Sequence, residues 1–297
     1  MERRQLGSTD MQVSVLGFGG AEIGGASLAD VERLLGKSLD GGLNVIDTAE
    51  CYGESEELIG RAVWYRRSDY YLFSKCGHAS GFTLPDWSPQ LLNMSIDRSL
   101  RRLKTDYLDL IQLHGCSKEV LCQEEVIDVL LKARDSGKVR YIGYSGNNAD
   151  ARYAIQMGIF DTLQTSVNIA DQSEIERTLP LAQEHNIGVI AKRPLANVVW
   201  KSKIAPKNPY HYPYWERLRK LQYAFLTEDL ESSVGIALRF TLSVAGVCTA
   251  IVGTANPDRY QQNATLLQIR ASLTEEQFKA IRSHWKARAP EHWLGLM

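Results

Sequence analysis

The sequence predicts an α/β fold of the (β/α)8 barrel class, a TIM barrel, in a single domain that spans residues 1–297. Eight short apolar runs, bounded by glycine or turn residues, alternate with stretches of helical periodicity. This alternation favours parallel strands joined by right-handed crossovers. Eight such units in 297 residues suit a closed barrel better than an open, doubly wound sheet. An N-terminal hairpin and a long loop after strand seven complete the prediction.

Each element has its own signal in the chain. Turn-forming residues at 7–10 predict the hairpin. Continuous apolar runs, typical of strands covered on both faces, predict strands at 13–18, 43–46, 70–74, 107–113, 139–144, 162–167, 187–191 and 247–252. Apolar residues at helical spacing predict helices at 27–39, 54–66, 88–103, 119–136, 149–157, 174–185, 228–243 and 257–268. A last helix begins at Thr274, which forms a capping-box pattern with Gln277, and coil follows at 287–291.

The connection between strands seven and eight is much longer than the others. Residues 198–218 within it carry three prolines and several aromatic side chains. This loop is expected on the C-terminal side of the barrel. It is either an insertion packed on the surface or a flap that closes over a ligand, and the sequence leaves both interpretations open.

Composition limits the function classes. The 34 lysine and arginine residues nearly balance the 35 aspartate and glutamate residues, so neither a nucleic-acid partner nor an anionic membrane surface is expected. No window has the length and hydropathy of a membrane helix, and the charged N-terminus lacks a signal-peptide core. A cytoplasmic protein with a small-molecule partner is predicted, and its oligomeric state is left open. Five cysteines without a CxxC pattern indicate reduced thiols rather than a zinc site.

Four residues with proton-transfer chemistry follow the ends of neighbouring strands, namely Asp47, Tyr52, Lys75 and His114. In a barrel they would meet at the C-terminal face, where such enzymes carry their active sites. A phenol with a pKa of about 10 needs a nearby cation before it shares a proton readily at neutral pH. Taken singly, each residue has a structural explanation, and Asp47 with Glu50 also matches a capping box. A metal-dependent hydrolase using Asp47, His78 and His114 is less favoured, because strand one ends without histidines.

These residues lie in the segments IDTAECYG, FSKCG and DLIQLHG, and in order and spacing they resemble the catalytic tetrad of the aldo-keto reductase superfamily. The resemblance covers nearly the whole chain. It implies NADPH-dependent reduction of aldehydes or ketones, with Tyr52 as general acid, Lys75 lowering its pKa, Asp47 holding Lys75, and His114 orienting the carbonyl. It also implies a nicotinamide cofactor extended across the barrel mouth, without a Rossmann loop, and no metal.

The resemblance also implies a set of cofactor contacts. They are Gly19, Gly20, Asp47, Ser145, Asn147, Gln164, Lys192, Arg193, Thr254, Arg259, Gln262 and Asn263. Ser145 and Gln164 would bind the nicotinamide carboxamide, whereas Lys192 stands where the family commonly has an aromatic residue that stacks on the ring. A helix capped by Asn256, with Pro257 at its first position, would attract a phosphate. Arg259 at its third position favours NADPH, with NADH as the alternative.

The substrate pocket is the least specified feature. Tyr52 and His114 would face the substrate, and Trp87, Trp200, Tyr210 and Trp293 are the predicted walls. They favour an apolar pocket for medium-sized or aromatic carbonyl compounds, with sugars as an alternative. A different function class also stays open. The chain could be a reductase-like barrel that binds nicotinamide as a redox sensor or regulatory protein with weak activity.

Overall fold

The computed structural model describes residues 1–268 and 272–296, so residues 269–271 and 297 of the predicted domain lie outside the described residues. It confirms the predicted (β/α)8 barrel and the N-terminal hairpin. The hairpin strands are β1 (Arg3–Gln5) and β2 (Gln12–Ser14). The barrel strands are β3 (Leu16–Gly19), β4 (Val45–Asp47), β5 (Tyr71–Cys76), β6 (Leu108–His114), β7 (Val139–Ser145), β8 (Thr162–Ser166), β9 (Gly188–Lys192) and β10 (Val247–Gly253). They pair in parallel in chain order, and β10 closes the barrel against β3.

Helices connect successive barrel strands, and the last two helices follow the final strand β10. They are α1 (Leu28–Asp40), α2 (Ser55–Val63), α3 (Pro89–Leu103), α4 (Lys118–Leu121), α5 (Glu124–Asp135), α6 (Asn148–Gln156), α7 (Glu174–Arg177), α8 (Leu179–Glu184), α9 (Tyr212–Leu221), α10 (Leu230–Ser243), α11 (Arg259–Leu267) and α12 (Glu275–Arg288). The capping box of α12 forms as predicted between Thr274 and Gln277. No helix in residues 1–268 or 272–296 is long and apolar enough to cross a membrane.

Three predicted elements are interrupted in the structure. The strand predicted at 13–18 breaks at Val15, because β2 pairs with the hairpin whereas β3 pairs with the barrel. The helix predicted at 119–136 breaks where Gln123 adopts an extended backbone before α5. The helix predicted at 174–185 restarts as α8, which carries a proline in its first turn, a position where proline needs no helical donor.

Two hydrophobic clusters organise the fold. The larger one lies between the strands and the surrounding helices. The smaller one joins inward-facing strand residues such as Phe73 and Ile190 to Leu6, Met11 and Val13 of the hairpin. The hairpin therefore closes the N-terminal end of the barrel with apolar side chains. The opposite end, where the strands terminate, stays open for a ligand.

The long connection after β9 has structure of its own. It contains two short 3-10 helices, Ala196–Lys201 and Ala224–Thr227, with α9 between them. Tyr214 of α9 is buried, and its hydroxyl lies 2.9 Å from Ser166 Oγ at the end of β8. Helix α9 is thus packed on the barrel, whereas residues 201–210 are largely exposed, and Tyr210 and His211 just before α9 reach the mouth.

Candidate active site

The C-terminal ends of three neighbouring strands bring the four proton-transfer residues together. Asp47 is the last residue of β4, Lys75 is the next-to-last of β5, and His114 is the last of β6. Tyr52 follows β4 in a turn, in which its backbone N–H donates to Ala49 O at 3.0 Å. Asp47 therefore does not cap a helix, because α2 begins only at Ser55.

Asp47 and Lys75 form a buried ion pair. Lys75 Nζ donates to Asp47 Oδ2 at 2.6 Å and to Thr48 O at 2.7 Å. Gln112 Nε2 donates to the other carboxylate oxygen, Asp47 Oδ1, at 3.3 Å. Burial alone would lower the pKa of Lys75, but the neighbouring Asp47 carboxylate and Tyr52 oxygen raise it above its ordinary value. Lys75 is therefore a fixed cation beneath the mouth.

Tyr52 lies next to this cation. Lys75 Nζ is 5.3 Å from the centroid of the Tyr52 ring. The resemblance implies that Lys75 lowers the pKa of the phenol. Lys75 does act in that direction, but burial is the larger effect and raises the pKa of Tyr52 above its usual 10. The phenol therefore holds its proton at neutral pH.

His114 completes the cluster. Its Nε2 is 3.4 Å from the Tyr52 hydroxyl, and its Nδ1 is 3.4 Å from Cys51 Sγ. Burial and the nearby cations Lys75 and Lys192 hold the pKa of His114 well below its ordinary 6.5. The imidazole is therefore neutral at physiological pH, so one ring nitrogen carries a hydrogen and the other accepts one.

A cavity of about 550 Å³ opens above these residues. Its lining includes Gly19, Gly20, Glu22, Asp47, Tyr52, His114, Ser145, Gln164, Lys192, Arg193, Pro194, Leu195, Asn197, Val198, Tyr210, His211, Gly253, Thr254 and Asn256. The cavity runs from the proton-transfer residues across the ends of β9 and β10. This shape can hold an elongated ligand whose one end lies beside Tyr52.

Ser145 and Gln164 give the cavity wall a polar pair. Ser145 Oγ donates to Gln164 Oε1 at 3.1 Å, whereas Gln164 Nε2 is buried without a hydrogen-bond partner among residues 1–268 and 272–296. An unpaired buried amide donor is costly unless a ligand accepts its hydrogen. A carboxamide oxygen is a suitable acceptor, so this wall fits the nicotinamide group of NAD(P)H.

The far end of the cavity adjoins α11. The structure corrects the predicted start of this helix, which begins at Arg259 rather than at Pro257. Asn256 Oδ1 instead accepts from Asp258 N at 2.9 Å in the turn before the helix. Thr254 lines the cavity, and Arg259 is exposed in the first turn of α11. The guanidinium has no ion-pair or hydrogen-bond partner within the described part of the chain.

The remaining residues from the sequence analysis fall into different places. Lys192 and Arg193 line the cavity, and Arg193 Nη1 donates to Leu296 O at 2.8 Å, which ties the mouth to the C-terminal tail. Asn147 Oδ1 accepts from Thr165 Oγ1 at 2.7 Å, beside rather than inside the cavity. Gln262 is exposed on α11, and Asn263 is buried in the same helix.

Of the four predicted pocket walls, only Tyr210 lines the cavity. Trp87 packs against His78, with ring centroids 5.1 Å apart, one layer behind His114. Trp200 donates its indole N–H to Ser233 Oγ at 3.3 Å and faces a separate cavity near α9. Trp293 is buried against Trp285. The mouth is therefore more polar than the predicted aromatic pocket.

Sequence reasoning missed Gln112, which holds Asp47 from the adjacent strand. The signal was present, because Gln112 precedes His114 by two residues on β6, and alternate strand residues share a face. Cys51 and His211 were also missed, and nothing in their local pattern marks them. Among the described residues, no group of three or more His, Cys, Asp or Glu is arranged to hold a metal ion.

Comparison with known proteins agrees with this geometry. The aldo/keto reductase family model matches residues 15–286. The uncharacterized oxidoreductase YqkF of Bacillus subtilis is 30% identical over 96% of this chain and 97% of its own. L-galactose dehydrogenase of Arabidopsis thaliana is 28% identical over 93% and 91%. The solved holo form of aldo-keto reductase AKR11C1 from Bacillus halodurans superposes with a TM-score of 0.85, at 28% identity, over 98% of this chain and 99% of that one.

Proposed function

The chain belongs to the aldo/keto reductase family, whose members are NAD(P)H-dependent oxidoreductases, and we propose that it reduces aldehydes and ketones to alcohols with NADPH and Tyr52 as general acid. One observation supports this proposal above the others. The buried Asp47–Lys75 pair lies directly beneath Tyr52, and Tyr52 and His114 face the same cavity. This is the arrangement that proton delivery to a carbonyl oxygen requires.

Ser145 and Gln164 would hold the carboxamide of the cofactor, through the amide hydrogen that lacks a partner in the described chain. When bound, the reduced nicotinamide supplies the hydride that the carbonyl carbon accepts. Glycines 19, 20 and 253 line the mouth. A Cβ would lie 2.8 Å from the Ile251 side chain at Gly19 and 2.6 Å from Ser55 Oγ at Gly20, so close packing of the wall requires glycine at both positions.

The proton comes from the chain itself. As the carbonyl oxygen gains negative charge, Tyr52 donates its phenolic proton to it. Lys75 is already charged and fixed by Asp47, so it stabilises the phenolate that remains without further reorganisation. Neutral His114 can orient the substrate oxygen by a hydrogen bond. The raised pKa of Tyr52 keeps the acid protonated until the substrate oxygen needs the proton.

The lining of the mouth favours polar carbonyl substrates. Lys192, Arg193, Asn197 and His211 face the cavity, whereas the three tryptophans expected to form apolar walls lie elsewhere. Hydroxylated compounds can satisfy such groups by hydrogen bonds. A sugar or sugar-derived aldehyde or ketone is therefore the proposed substrate class, and the similarity to an L-galactose dehydrogenase supports it.

The proposed preference for NADPH depends on Arg259. Its guanidinium is exposed in the first turn of α11, close to the cavity end at Thr254 and Asn256. Asp258 would repel a phosphate there, but Lys37 Nζ pairs with it at 2.6 Å and offsets its charge. A guanidinium binds a 2′-phosphate bidentately, whereas NADH offers no such group.

The redox-sensor alternative would require a barrel that binds nicotinamide but turns over slowly. The assembled proton-transfer residues argue against it, since a sensor needs no general acid supported by a buried cation. One feature favours the sensor, namely that Lys192 stands where the family commonly has an aromatic residue that stacks on the nicotinamide ring.

Replacing Tyr52 by Phe tests the proposed mechanism. Loss of the acid should lower turnover with an aldose or ketose panel by about 10²- to 10⁴-fold. NADPH affinity, followed by nicotinamide fluorescence, should stay close to the unmodified protein, because the ring remains. Tyr65→Phe is the matched control, since Tyr65 is exposed outside the mouth. A Tyr52→Phe protein with normal turnover would refute the mechanism, and slow turnover of every carbonyl by the unmodified protein with tight NADPH binding would favour the sensor.

A further inference from the structure

The two ring nitrogens of His114 have different neighbours. Nε2 points to the Tyr52 hydroxyl at 3.4 Å, and Nδ1 points to Cys51 Sγ at 3.4 Å. Cys51 is placed by the same turn that positions Tyr52, and its side chain is half-buried. If Nε2 of His114 carries the hydrogen, the imidazole can donate a hydrogen bond to a substrate. If Nδ1 carries it, Nε2 accepts a hydrogen bond from Tyr52.

Both partners are neutral in this environment. Burial and nearby cations keep the pKa of His114 below its ordinary value, and burial raises the pKa of the Cys51 thiol despite the opposing effect of Lys75. A neutral imidazole has one hydrogen, and a neutral thiol has one to give. An imidazole nitrogen is a good acceptor, whereas a thiol sulfur is a weak one, so the S–H···Nδ1 arrangement is favoured over N–H···S.

We propose that Cys51 is a positioning residue that donates its thiol hydrogen to Nδ1 and thereby holds His114 in the tautomer with the hydrogen on Nε2. Nε2–H then faces the mouth as a donor to a carbonyl oxygen. Because Nε2 already carries a hydrogen, it cannot accept the phenolic proton of Tyr52, which stays available for the substrate. The catalytic consequence rests on the proposed function, whereas the tautomer itself does not.

The tautomer can be read directly by ¹⁵N NMR of the full chain labelled at histidine. The chain has six histidines, and the spectrum of His114→Gln identifies the signals of His114. In the unmodified protein, Nδ1 should show the shift of an unprotonated nitrogen and Nε2 that of a protonated one. Cys51→Ser keeps a donor and should preserve this pattern. Cys51→Val and Cys51→Ala remove the donor and should raise the fraction with the hydrogen on Nδ1.

Turnover gives the second readout. A hydrogen bond of this kind contributes about 0.5 to 1.5 kcal/mol, so loss of the donor should lower kcat by roughly two- to tenfold and leave the KM for NADPH unchanged. Cys51→Ser should recover most of the rate. Cys122→Val is the matched control, because Cys122 is an exposed thiol that contacts Tyr153 rather than the site.

The outcomes separate the two proposals. Two results would overturn the role of Cys51. One is a hydrogen on Nδ1 in the unmodified protein. The other is a set of His114 signals in Cys51→Val and Cys51→Ala identical to those of the unmodified protein, when circular dichroism shows that both variants are folded. A protein without carbonyl reductase activity would refute the proposed function, while the NMR pattern would still decide the tautomer. The expected result is an Nε2–H tautomer that depends on a donor at position 51.

Discussion

Replacing Lys192 by Met is expected to stabilise the folded protein at low pH. Lys192 ends β9 in the cavity wall, and within the described chain its ammonium group has no hydrogen-bond or ion-pair partner. Burial and repulsion from Arg193 and Lys75 outweigh attraction to Asp171 and Asp47 and lower the pKa of Lys192 from 10.5 to about 7. The lone charge is therefore unfavourable in the folded state.

The size and the pH range of the effect follow from proton linkage. Between about pH 7 and pH 10.5, the Lys192 side chain is protonated in the unfolded chain and unprotonated in the folded chain. In this range the free energy of unfolding therefore rises by about 1.4 kcal/mol per pH unit. Below pH of about 7 the whole penalty is present, with a ceiling of about 5 kcal/mol. Because the cavity is open to solvent, which screens the charge, we expect a penalty of about 1 to 3 kcal/mol in the free energy of unfolding.

Urea unfolding at pH 6 and pH 9.5 tests this reasoning. Met keeps the apolar stem of the side chain and removes the charge. The Lys192→Met protein should be more stable than the unmodified protein by about 1 to 3 kcal/mol at pH 6, and the difference should shrink strongly at pH 9.5. Lys201→Met, at an exposed position, should change little at either pH. A pH-independent difference, or destabilisation by Lys192→Met at pH 6, would refute the assignment.

Two further predictions concern the cofactor and the helix layer. Arg259→Ala should weaken NADPH binding by about 10- to 100-fold and leave NADH binding nearly unchanged, as measured by fluorescence titration, and equal weakening of both cofactors would contradict the phosphate contact. Gly60→Ala should destabilise the protein by about 1 to 3 kcal/mol or more, because the new methyl group would lie 2.1 Å from Arg102 O of α3. At Gly36 a new methyl group would have no atom within 4 Å other than the chain neighbours and the backbone of its own helix, so Gly36→Ala should instead be neutral or slightly stabilising in thermal unfolding.

Much of the fold could be predicted from the sequence because its signals are local. Apolar runs identify the barrel strands, and helical periodicity identifies the helices between them. The order of these elements implies a closed parallel barrel. The same logic placed Asp47, Lys75 and His114 together, since residues at the ends of neighbouring parallel strands meet at one face. Their meeting needed no knowledge of side-chain packing.

Element boundaries were less predictable. The start of α11 at Arg259 and the break before α5 depend on hydrogen bonds made by turns, which a periodic pattern does not contain. The prediction that tryptophans form the pocket walls was wrong for a related reason. An aromatic residue near the mouth in sequence can pack into the pocket or against the barrel, and only long-range contacts decided that Trp200 and Trp293 do the latter.

The sequence by itself determined which chemical groups the barrel mouth contains, because strand ends follow from local pattern. Only the tertiary structure decided the state of those groups. Burial outweighs the effect of Lys75 on the pKa of Tyr52, the Cys51 thiol lies against Nδ1 of His114, and Lys192 has no ion-pair partner among the described residues. Desolvation and hydrogen-bond partners depend on how distant segments pack around a side chain, and that packing cannot be read from neighbours along the chain.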